Sequence, residues 1–105
     1  MSKPKMLHIV NKSPFEKNSL ATCMRLSAQG SSVLLIEDGV YGALGGTDIE
    51  ADVKSNMDSK RIFVLGPDIK ARGINHDNLI AGVEVVDYEG FVKLAAGASK
   101  TQSWL

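Results

Sequence analysis

The chain has 105 residues, 44% of them apolar, enough for one domain around one core. Twelve basic and twelve acidic residues cancel, so no overall field draws it to nucleic acid or to an anionic membrane. With one cysteine, Cys23, an internal disulfide and an internal Cys-x-x-Cys relay are both excluded.

In chain order, four apolar runs punctuate the sequence: Met6–Val10, Ser32–Ile36, Arg61–Leu65 and Val83–Val86. Most are continuous in Val, Ile and Leu rather than alternating, as in strands covered on both faces. Between them lie helical stretches. Asn18–Ala28 stops before Gly30, Thr47–Met57 carries Thr47 and Glu50 at capping-box spacing, and Tyr88–Ala96 ends at Gly97. Ser13-Pro14-Phe15-Glu16 has the same capping spacing, which allows the first helix to begin earlier. Gly42–Gly46 reads as a bend. Strands alternating with helices predict right-handed crossovers and a mainly parallel sheet. No apolar run approaches the length of a membrane span, and Met1–Lys5 lacks a signal peptide's apolar stretch, so the expectation is a cytoplasmic protein.

The strands run into acids: Asp38, Asp68 and Asp87. Ligands of open α/β sheets bind beyond the carboxyl ends of strands. Three acids there suit a metal in principle, but capping and turn formation are the simpler use. A dinucleotide site would want a glycine-rich turn after the first strand, where Asn11-Lys12-Ser13-Pro14 stands instead.

Cys23 falls at the flank of an apolar helical face, between Leu20 and Leu26. It is either a small core residue or a nucleophile. Residues 1–25 carry a net charge of +4 and residues 26–60 a net of −4, so Lys12, Lys17 or Arg25 would favour its thiolate if the fold kept them near. His8, in the first strand, would make a Cys–His pair if it met Cys23, although a lone strand histidine is usually structural. His76 reads as an exposed loop residue. No metal-ligand spacing emerges from two scattered histidines and one cysteine. Trp104, next to the end, is expected to dock on the body or on a neighbouring subunit.

Several blocks together resemble one family: Leu7-His8-Ile9-Val10-Asn11-Lys12-Ser13-Pro14-Phe15, Leu34–Leu44, Val64–Gly73, Val85–Val92 and Gln102-Ser103-Trp104. In this order they are similar to the DsrH/TusB family of sulfur-relay proteins over nearly the whole chain. The resemblance implies a small three-layer α/β sandwich of DsrE-like type, one domain over residues 1–105. It implies assembly with DsrE/TusD-like and DsrF/TusC-like subunits into a heterohexamer that passes persulfide sulfur between cysteines to a downstream acceptor protein. No cofactor, metal, membrane or direct nucleic-acid contact is called for. Sulfur would go to tRNA wobble-uridine 2-thiolation or to sulfur oxidation. Cys23 and the Asn11–Glu16 opening look closer to the DsrH, sulfur-oxidising branch. On this reading Cys23 is the candidate sulfur-carrying residue of a carrier rather than of a stand-alone enzyme. The alternative is a non-catalytic subunit whose partner carries the active cysteine.

Overall fold

The computed structural model describes residues 6–104. In chain order these form β1 (Met6–Val10), α1 (Ser19–Leu26), β2 (Ser32–Leu35), a 3-10 helix (Glu37–Ala43), α2 (Glu50–Asn56) and β3 (Arg61–Leu65). There follow α3 (Gly66–Ala71), a 3-10 turn (His76–Asn78), β4 (Glu84–Val86), α4 (Tyr88–Gly97) and β5 (Lys100–Trp104). The five strands pair in parallel in the order β4-β3-β2-β1-β5.

That order fixes the layers. From β1 to β4 the chain steps across the sheet in one direction, so right-handed crossovers stack α1, α2 and α3 on one face. From β4 it returns across the whole sheet to β5, which puts α4 on the other. The two apolar clusters follow the strand pleat. Val10, Val33, Leu35, Ile62 and Val64 pack with Leu20, Val53 and Ile69, whereas Leu7, Leu34 and Phe63 turn to Phe91, Leu94 and Ala95. The result is the three-layer sandwich expected from sequence, with a sheet that is wholly parallel.

Local chemistry moves several boundaries. Ser13 does not start α1. Its hydroxyl accepts from the Phe15 N–H at 3.1 Å and its carbonyl from Glu16 and Lys17, closing a separate turn before the helix begins at Ser19. The Thr47–Glu50 capping box is also not formed. Glu50 Oε1 accepts instead from Gly46 N–H at 2.8 Å, and the helix starts at Glu50. Pro67 sits in the first turn of α3, where its missing N–H costs nothing. Gly39 packs so closely on β1 that any Cβ would overlap the Val10 carbonyl oxygen. Strand β5 lies outside the predicted elements because Lys-Thr-Gln-Ser carries no apolar pattern. As an edge strand it needs only backbone pairing with β1, from Met6–Lys100 to Val10–Trp104.

Candidate functional site

Cys23 lies in the middle of α1's buried stripe, with Ser19, Leu20 and Met24, rather than at its flank. Leu26 faces solvent, because the helix ends there and Ser27 turns extended. The Cys23 side chain is 0% exposed. Burial pushes its thiol up to about 11, while the Lys60 charge and the Ser27 hydroxyl pull more weakly the other way. At neutral pH the thiol therefore stays protonated.

The cation near this thiol is Lys60, which the sequence did not single out. Lys12, Lys17 and Arg25 are all exposed. Lys60 is 8% exposed, and its ammonium reaches beneath α1 to donate to the Met24 carbonyl at 2.8 Å and to Asn56 Oδ1 at 2.6 Å. Met24 lies in the last turn of α1, whose carbonyls have no partner within the helix itself and carry the negative end of its dipole. The Cys23 carbonyl accepts from Ser27 N–H and the Met24 carbonyl from Lys60. Among the described residues no carboxylate lies at ion-pair distance from Lys60. No local signal would have found it, since it simply precedes an apolar strand.

His8 is 3% exposed and shares the pleat of Val10, on the α1 side of the sheet. Its Nδ1 accepts from Trp104 Nε1 at 3.0 Å, with ring centroids 5.9 Å apart. The proton of the neutral ring therefore sits on Nε2, which is buried without a partner. Burial first, and Lys60 second, hold His8 below the ordinary imidazole range. No Cys23–His8 hydrogen bond exists: Nδ1 is occupied and Nε2 is unpaired. Trp104 thus docks on the body, against the α1-side core and His8. His76 is exposed in its 3-10 turn.

The acids at the carboxyl edge are engaged structurally. Asp68 Oδ2 accepts from the Glu37 N–H at 2.6 Å, which steadies Glu37 in a left-handed conformation at φ 50°. Arg72 donates twice to Asp38 Oδ1, at 3.0 Å from both Nε and Nη2. Asp87 caps α4 by accepting from Gly90 N–H at 2.8 Å. Among the described residues no group of three His, Cys, Asp or Glu side chains is placed to hold a metal, and no helix is long and apolar enough to cross a membrane.

Comparison with known proteins agrees with this architecture. A family model described as "DsrH like protein" matches residues 12–101. The protein TusB of Erwinia tasmaniensis is 36% identical over 100 residues, covering 94% of this chain and 100% of the relative. The chain belongs to the DsrH/TusB family. TusB of Pectobacterium parmentieri is 32% identical over 99 residues, covering 94% of this chain and all of its own length. Among solved structures, the ychN protein from E. coli superposes with a TM-score of 0.85 at 20% identity, covering 97% of this chain and 100% of its own. Protein MTH1491 from Methanobacterium thermoautotrophicum follows at 0.73 and 16%, covering 95% and 99%. At such identities the likeness to these two is one of fold.

Proposed function

We propose that this DsrH/TusB-family chain is a cytoplasmic subunit of a sulfur-relay complex, assembled with DsrE/TusD-like and DsrF/TusC-like subunits. Its part is to complete the assembly and position a partner's persulfide cysteine. The observation that carries this reading is Cys23, wholly buried and held protonated. A sulfur carrier needs an accessible thiolate.

One observation favours a second reading, with Cys23 as the carrier: the buried Lys60 ammonium beside α1, which would stabilise a sulfur anion once the helix opened. The thiolate of Cys23 would attack the outer sulfur of a donor persulfide, forming a new S–S bond while the donor's inner sulfur leaves as thiolate. The product, Cys23–S–SH, would pass its outer sulfur to a partner cysteine by the same exchange.

Intact mass after treatment with a persulfide donor separates the two, using wild type and Cys23→Ser, each alone and with the partner subunits. For the assembly role, the expected result is no reductant-labile sulfur on this chain and slow alkylation of native Cys23. A Cys23-dependent gain of one sulfur atom would establish the carrier reading. Deletion of the encoding gene, with 2-thiouridine measured in tRNA, assigns the route. Loss of the modified base points to wobble-uridine thiolation, and its retention with blocked sulfur oxidation points to the other branch.

A further inference from the structure

The outer surface of α1 and α2 carries a groove. One cavity of about 470 Å3 is walled by Pro14, Phe15 and Ile49 and rimmed by Asp48 and Asp52. A second, of about 430 Å3, shares Asp52 and continues along α1 to Arg25. The two share Asp52, the first adding Asp48 and the second Arg25.

Phe15 is the telling residue. It is 62% exposed, yet the turn that presents it is fixed by the Ser13 hydroxyl and carbonyl. Hydrogen bonding rather than burial sets this ring on the surface, and an exposed aromatic in a rigid turn is a typical binding anchor. Asp48 has a local reason for its place, just before the positive end of α2. Phe15 has no such reason to stand beside it. Neither Asp48 nor Asp52 has an ion pair among the described residues, while Glu50 on the same helix is paired with Lys54 at 3.3 Å.

An aromatic face, an aliphatic wall and two free carboxylates match a long cationic side chain. Its methylenes would lie on Pro14 and Ile49, its charge would stack on Phe15 and its donors would meet the carboxylates. Arginine fits better than lysine, because its planar fork both stacks and bonds two oxygens. We propose that the α1–α2 groove docks a segment of a partner subunit, which sets an arginine between Phe15 and the Asp48/Asp52 pair and directs an acidic residue toward Arg25. This rests on the assembly reading above and names the surface through which that assembly is made.

The test uses the complex produced with DsrE/TusD-like and DsrF/TusC-like subunits of the same organism. A photo-crosslinking phenylalanine analogue replaces Phe15 or, for contrast, Tyr88 on α4. The expected result is a Phe15-site crosslink to an arginine-containing peptide of a partner subunit. Asp48→Lys with Asp52→Lys should weaken assembly at least about tenfold, and Asp48→Asn with Asp52→Asn by less. Changing the crosslinked arginine to Glu should restore binding to the lysine variant. Both acids are exposed, so thermal unfolding of each isolated variant near the wild-type temperature verifies the fold. If the complex forms and the lysine variant binds like wild type, this docking mode is overturned while the assembly reading stands. A Phe15-site crosslink to a second copy of this chain overturns it as well. If the wild-type chain binds neither subunit, the assembly reading fails, and the docking proposal with it.

Discussion

The two faces of the sheet are built to different standards. On one, three helices cover the strands, and Leu20, Val53 and Ile69 join Val33, Leu35 and Val64 at zero exposure. On the other, α4 works alone, and not one of its ten residues is fully buried. The buried members of its apolar cluster, Leu7, Leu34 and Phe63, are all contributed by strands. Folding stability therefore resides mainly beneath α1–α3. That layer also holds the buried His8, Cys23 and Lys60. Unpaired polar atoms cost most in a tightly closed layer: there the Lys60 ammonium and His8 Nδ1 have partners, and His8 Nε2 does not.

Truncations on the two faces should separate them. Leu20→Ala opens a cavity in the closed face and should cost about 3–5 kcal/mol in denaturant unfolding. Leu94→Ala, in the half-covered α4 layer, should cost no more than about 2 kcal/mol, and equal losses would show that α4 packs as tightly as α1. Lys60→Met keeps much of the volume but removes the donor to the Met24 carbonyl, with an expected loss of about 1–3 kcal/mol. Hydrogen exchange should show where that loss falls, with the last turn of α1 losing protection first.

The smallest effect concerns the strand edge. Trp104→Phe removes the indole donor to His8 and should cost about 1 kcal/mol. Its pH dependence carries a sign. His8 binds its proton less readily folded than unfolded, so the unfolded chain takes up more protons as pH falls below about 6.5. Stability present above that pH should decline as the medium is acidified toward the folded-state value. His8→Phe should flatten that limb. An unchanged slope between pH 7 and 5 would mean that His8 does not govern it.

Much of this architecture is legible in the residues. Apolar runs mark β1–β4 to within a residue, and Asp87 announces the start of α4. What escapes notice lies where tertiary context decides. The polar β5 is a strand because β1 offers it an edge. The chain from Glu37 to Ala43 winds into a 3-10 helix where Gly39 must pass close to the Val10 carbonyl. The site was legible in part. Cys23 is visible as a singular residue, but its burial depends on how α1 rolls onto the sheet. Lys60 meets Met24 across 36 residues of chain, a contact no local pattern encodes.

The pairing of β5 with β1 also sets the order in which the molecule can be completed. β1 is made long before β5, and its outer edge finds its partner only once Lys100–Trp104 has emerged. Contacts so distant in sequence slow folding. Until Trp104 reaches His8, β1 is an exposed, apolar, parallel edge, the kind of surface on which nascent chains associate wrongly. Deleting Lys100–Trp104 should therefore harm yield in the cell more than the few buried contacts of β5 suggest, with the protein accumulating as aggregate before it is lost as a fold.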